Sequence, residues 1–206
     1  MSRFSQAISE GDGISVIPML EGDVAELAAV AEEAGAEAVA VSFADADRAQ
    51  ASTSLPVAVV GGVYGTSEAQ ALADVGADGW IVVLDPDGER ELLDELYPVA
   101  AELGVDCAVE VWDDERLTDA LEQIDPEIIV IAHPGDEEEE LEYILDLLPA
   151  VPAGKLVIAR PRRPVAREQV VALERAGVDA ILVGAGFLRD PDFAGALAEL
   201  TGRVGP

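Results

Sequence analysis

One phrase recurs along this chain and constrains its fold more than any other feature. It reads Ala34-Gly35-Ala36-Glu37-Ala38-Val39-Ala40-Val41, then Val75-Gly76-Ala77-Asp78-Gly79-Trp80-Ile81-Val82-Val83. It returns as Leu103-Gly104-Val105-Asp106-Cys107-Ala108-Val109-Glu110-Val111 and as Ala176-Gly177-Val178-Asp179-Ala180-Ile181-Leu182-Val183. Each time a segment with helical spacing ends at a glycine, the usual residue for a left-handed C-terminal cap. A short apolar run then follows without alternation, the pattern of a strand buried on both faces of a parallel sheet.

Four more apolar runs lie between these, at Ile14–Leu20, Pro56–Val63, Glu127–Ala132 and Lys155–Arg160. The segments between runs predict helices near Asp23–Ala34, Thr66–Val75, Gly88–Leu103, Asp113–Gln123, Asp136–Leu148, Arg167–Ala176 and Pro191–Thr201. The connection Ala44–Leu55 is short and rich in Ala, Asp and Ser, which predicts an abbreviated or irregular helix there. Strict alternation of strand and helix favours a parallel sheet, and eight units favour closure. The expectation is one compact α/β domain over residues 1–206, a (β/α)8 TIM barrel. Residues 1–12 form a short lead-in, and the ligand site lies at the C-terminal ends of the strands.

Composition narrows the function classes. Forty-two acidic residues against 12 basic ones give a formal charge of −30. Such a field repels nucleic acid and anionic membranes, so neither is expected as a partner. The acidic run Asp136-Glu137-Glu138-Glu139-Glu140 reads as the solvated, dipole-favoured start of a helix. No stretch is long and apolar enough for a bilayer, no signal peptide is read at the N-terminus, and a cytoplasmic protein is expected. The single cysteine, Cys107, has no partner for an internal disulfide and has opposite parity to Glu110 on its strand, which predicts inert packing against helices. No metal-ligand cluster, nucleophile elbow or P-loop is present in the sequence, and no cofactor is called for. A monomer or weak homodimer is expected.

The strand ends supply the candidates for chemistry. After the seventh run stand Arg160, Arg162 and Arg163, three of the chain's 12 cations within four residues. After the eighth comes Gly184-Ala185-Gly186, whose amides suit close approach to a phosphate. Together these six residues form the candidate anion site for a phosphorylated small molecule. Glu110, an acid inside an apolar strand, is placed to move a proton. His133, the one histidine, ends the sixth run and suits acid, base or ligand duty. Asp45 and Asp85 read as helix caps, and Trp112 either stacks on a ligand or covers the barrel end.

These residues resemble the indole-3-glycerol phosphate synthase family, best from Leu55 onward. The resemblance rests on Leu55-Pro56-Val57, Ala73-Asp74-Val75-Gly76-Ala77-Asp78, Val109-Glu110-Val111-Trp112-Asp113 and Val183-Gly184 with Phe187-Leu188-Arg189. It implies a phosphate-binding barrel, a carbon–carbon lyase if catalytic, that performs a decarboxylating ring closure in tryptophan biosynthesis. That chemistry implies a lysine acid on strand three, a glutamate on strand five, a Glu/Lys pair on strand one, an asparagine on strand six and a Glu-Ser-Gly turn on strand seven. Glu110 and Gly184 match. Val60 stands at or near the strand-three lysine, Val16 and Pro18 near the strand-one pair, and Ala132 or His133 at the asparagine. Pro161-Arg162-Arg163 replaces the turn, give or take one residue. Three readings follow: a divergent synthase, with His133 as substitute acid; a reassigned or non-catalytic barrel binding a phosphorylated or carboxylated small molecule; and a structural or interaction protein, whose mouth would be plugged by side chains with Arg160, Arg162 and Arg163 paired to acids.

Overall fold

The computed structural model describes residues 2–11, 13–83, 90–133, 140–184 and 192–202. Eight parallel strands form one sheet: β1 Ser15–Pro18, β2 Val39–Val41, β3 Val57–Val60, β4 Gly79–Val83, β5 Asp106–Val111, β6 Ile128–Ala132, β7 Leu156–Arg160 and β8 Ala180–Val183. The order runs β1-β8-β7-β6-β5-β4-β3-β2. The sheet nearly closes where β1 meets β2, through a Met19–Ala40 bridge and the Leu20 amide donating to the Ala40 carbonyl at 2.7 Å. This is the α/β barrel that the repeated phrase predicts. The glycine that ends the helix in each of its four copies adopts positive φ, from 71° at Gly104 to 98° at Gly177.

The helices are α1 Arg3–Ser9, α2 Val24–Glu33, α3 Ala46–Gln50, α4 Thr66–Asp74, α5 Arg90–Leu103, α6 Asp114–Gln123, α7 Glu140–Leu147, α8 Arg167–Ala176 and α9 Phe193–Thr201. The short connection after β2 is a 3-10 turn, Phe43–Asp45, leading into α3, as its composition predicts. The lead-in is more than a lead-in. It folds into α1, whose Phe4 and Ile8 are buried against the barrel interior with Ile17, Ala38, Ala58 and Ala108. Sequence reading passed it over because seven residues offer barely two turns of periodicity.

Strand parity sorts the core into two layers. Ile17, Ala40, Ala58, Ile81, Ala108, Val130, Ile158 and Leu182 point into the barrel, while Val16, Val41, Val59, Trp80, Val109, Ile131 and Ile181 face the helices. Cys107 lies in the helix-facing layer, buried, and burial pushes its thiol up to about 12. A thiol held protonated at neutral pH is inert, as its parity predicts.

The acid of the repeated phrase also has a structural use. The Glu37 carboxylate accepts the Val16 amide at 2.9 Å, Asp78 accepts the Val57 amide at 2.9 Å, and Asp179 accepts the Val157 amide at 2.7 Å. Each clasp joins an odd strand to the next even one at the N-terminal end of the barrel. Asp106, at the start of β5, instead accepts the Ser5 amide of α1 at 2.7 Å and the Ser2 hydroxyl. Burial raises the Asp78 and Asp179 carboxyls above the usual range, and the amide each accepts opposes the rise. Among the described residues no helix is long and apolar enough to cross a membrane.

Candidate functional site

Among the described residues, an ion pair stands at the centre of the barrel's C-terminal mouth. Glu110 on β5 shares the inward parity of Ala108, and Arg160, the last residue of β7, shares that of Ile158. Their side chains meet: Arg160 Nη1 donates to Glu110 Oε2. Glu110 is 5% exposed. Toward the mouth, the intervening strand β6 presents Val130 and Ala132 on that face, in register with Glu110 and Arg160 respectively. The short side chain of Ala132 leaves the guanidinium a path to β5. Met19 and Val60 pack against the same interior layer and give the mouth an apolar wall across from the pair.

The remaining candidates are distributed around this centre. The Arg162 and Arg163 side chains are exposed at the rim. Their backbone amides turn away from β8 toward α7. The Arg162 amide donates to Glu140 Oε1 at 2.6 Å and the Arg163 amide to Glu140 Oε2 at 3.3 Å. On the opposite side, a Cβ built on Gly184 would lie 4.0 Å from the carbonyl oxygens of both Pro161 and Arg162. The turn between β7 and α8 thus places two carbonyl oxygens near Gly184. Ala185, Gly186, Phe187 and Asp85 lie outside the described residues.

His133 follows β6 with the parity of Ile131, on the helix side. Its ring meets Tyr143 of α7 edge to face, with centroids 4.6 Å apart at 89°. The Tyr143 hydroxyl donates to the Trp112 carbonyl, and burial raises its pKa. Trp112 carries the Arg116 guanidinium 5.2 Å from its ring centroid. Asp45 accepts the Ser42 hydroxyl at 2.8 Å and pairs with Arg48 at 3.0 Å; it stands at the N-cap position of α3, but its side chain makes no cap hydrogen bond there, so the expected cap is not formed. Lys155 is the chain's one lysine, and it stands at the opposite end, before β7, with its ammonium 2.6 Å from Asp125.

Glu140 corrects the reading of the acidic run as a solvated face. It is 4% exposed and shares a buried helix face with Ile144 and Leu147. The signal was in the spacing, since positions 140, 144 and 147 form one i, i+4, i+7 stripe. The charge run masked it. The other acids of that run lie outside the described residues.

The sequence model of the indole-3-glycerol phosphate synthase family matches residues 18–200. The chain belongs to that family. Its relatives include the indole-3-glycerol phosphate synthase of Bordetella pertussis, 34% identical over 156 residues, which are 74% of this chain and 58% of that protein. The Campylobacter hominis synthase is 33% identical over 129 residues, 62% of this chain and 48% of its own length. The chain spans about half the length of the first curated relatives it matches. Among solved structures, 3-hexulose-6-phosphate synthase from Salmonella typhimurium superposes with a TM-score of 0.74 at 16% identity, covering 92% of this chain and 97% of that one. KGPDC from Streptococcus mutans gives 0.70 at 13% identity, covering 93% and 97%. These two likenesses concern the barrel fold. Glu110, the acid that the sequence singled out on β5, is held here by an arginine two strands away.

Proposed function

We propose that this synthase-family barrel binds a small molecule bearing a phosphate or carboxylate at its mouth, and that it has given up efficient ring closure. The Glu110–Arg160 pair carries this reading. A guanidinium keeps its proton at all ordinary pH, so Arg160 can grip an oxyanion through its other N–H donors but cannot serve as the general acid. Val60, at the end of β3, has no proton to give. The chain's only lysine is engaged with Asp125 at the far end of the barrel, which leaves no amine to replace it. Loss of one positioned general acid typically lowers a rate by ~10² to 10⁴.

The mouth remains suited to an anion. Arg160 offers a forked set of donors in a partly enclosed setting, where charge-assisted bonds are strongest. Arg162 and Arg163 add positive charge at the rim of a protein that is otherwise acidic, which draws anions to this end. An oxyanion seated on Arg160 competes with Glu110 for the guanidinium and loosens the carboxylate for proton transfer of another kind. His133, packed on Tyr143 behind the sheet, gives no support to a rewired synthase acid.

Calorimetric titration with the synthase substrate, carboxyphenylamino-deoxyribulose phosphate, tests the proposal. Saturable binding weakened at least about tenfold by Arg162→Ala, and further by the paired Arg160→Met/Glu110→Gln variant, is the expected result. Binding unaffected by both changes would count against it.

A further inference from the structure

The β7–α8 turn contains a second arrangement that the mouth does not use. Two consecutive amides, of Arg162 and Arg163, converge on the two oxygens of one carboxylate, Glu140, at 2.6 and 3.3 Å. That carboxylate is almost fully buried, which is uncommon for a glutamate without such partners. A cavity of about 440 Å³ opens beside it, lined by Glu140, Leu141, Arg163, Pro164, Val165 and Gln169 among others. Paired backbone donors with an arginine at the edge of an opening are the chemistry by which proteins hold phosphate, sulfate or a carboxylate.

We infer that this turn is an oxyanion site on the helix-facing side of the barrel, filled by the chain's own Glu140. It is separate from the mouth. Its donors reach Glu140 of α7, whereas Arg160 reaches Glu110 inside the barrel. Glu140 is delivered to it by the α7 face that also buries Ile144 and Leu147, so the internal anion is held at a high effective concentration. An outside oxyanion must displace a tethered carboxylate to enter. The consequence for ligand recognition is that these two amides are withheld from an external phosphate.

Removing the tethered acid should open the site. In Glu140→Ala the two amides lose their acceptor, and inorganic phosphate should bind where Glu140 sat. The readout is the rise in melting temperature and the calorimetric Kd with sodium phosphate, against sodium chloride at matched ionic strength. Glu140→Ala is expected to bind phosphate at least about tenfold more tightly than the wild type, with Glu140→Gln close to wild type because its amide oxygen still fills the turn. Glu140→Asp, whose shorter arm withdraws the carboxylate, should show a smaller gain and serves if the alanine variant does not fold. The gain should persist when Arg160→Met/Glu110→Gln is added, which separates this site from the mouth and from the proposed function. Equal phosphate response in wild type and in the Glu140 variants overturns the inference, as does a gain that vanishes with the mouth substitutions.

Discussion

The base of this barrel and the interior of its mouth hold buried charge differently. At the N-terminal base, carboxylates accept backbone amides: Glu37 from β1, Asp78 from β3, Asp179 from β7 and Asp106 from α1. Each acid has a fixed donor that no ligand can replace, and Phe4 and Ile8 fill the space between. At the mouth, Glu110 is held by a side chain, Arg160, reaching across β6. A backbone clasp is permanent, whereas a side-chain pair can exchange one partner for a ligand. The contrast separates an end built for stability from an end able to respond.

That contrast can be broken most forcefully at the pair itself. Arg160→Ala leaves a buried carboxylate without its cation and should destabilise the fold by about 3–5 kcal/mol in urea denaturation, whereas Arg160→Met/Glu110→Gln should cost far less. If the single and double changes cost the same, the pair is not the organising feature of the mouth. At the base, Phe4→Ala empties the plug and should cost about 3 kcal/mol while leaving ligand affinity at the mouth unchanged. An altered affinity would show that the two ends are coupled.

Smaller effects belong to the clasps. Asp179→Ala leaves the Val157 amide without its acceptor and should cost about 1–3 kcal/mol, while Asp179→Asn, which keeps an oxygen in place, should cost less. The pH response is smaller again, and its sign follows from burial. The Asp78 and Asp179 carboxyls titrate above their ordinary range in the folded chain, chiefly through desolvation. Between the ordinary and the raised values the folded state holds protons that the unfolded state has lost. Their contribution to stability therefore falls as pH rises through that window and recovers as pH falls. Glu32 opposes them. The hydroxyls of Ser54 and Thr53 lower its pKa, so its contribution is present above the ordinary carboxylate value and is lost as pH falls through the lowered one. Denaturation curves across this acid range should show a larger loss of stability on acidification in Asp78→Asn/Asp179→Asn than in wild type. An identical dependence would remove burial as the cause.

The base was more legible in the sequence than the mouth, for a physical reason. Gly35, Gly76, Gly104 and Gly177 are local requirements of a left-handed cap, and the strands that follow are local apolar runs, so a linear reading finds both. The acids after those glycines were visible as repetition, but their amide partners come from the preceding strand or, for Asp106, from α1, and that pairing exists only once the barrel forms. Glu110 was legible as an acid in an apolar strand, and Arg160 as a cation at a strand end. Their meeting depends on shared inward parity and on the small Ala132 between them, neither of which is a local property. His133 illustrates the reverse. Its position after β6 marked it as a candidate, yet one residue of parity sets it against Tyr143 on the helix side. Glu140 was hidden by its charged neighbours, although its spacing to Ile144 and Leu147 pointed inward.

We propose a mouth that keeps an anion site without the proton donor of its family, and the most direct test is a fluorescence assay of the wild-type protein with carboxyphenylamino-deoxyribulose phosphate, at low and high salt, with Glu110→Gln as control. Saturable binding without indole product above the control is the expected result. Product forming at a rate that Glu110→Gln abolishes would contradict it, and would mean that ring closure proceeds here with an acid other than lysine.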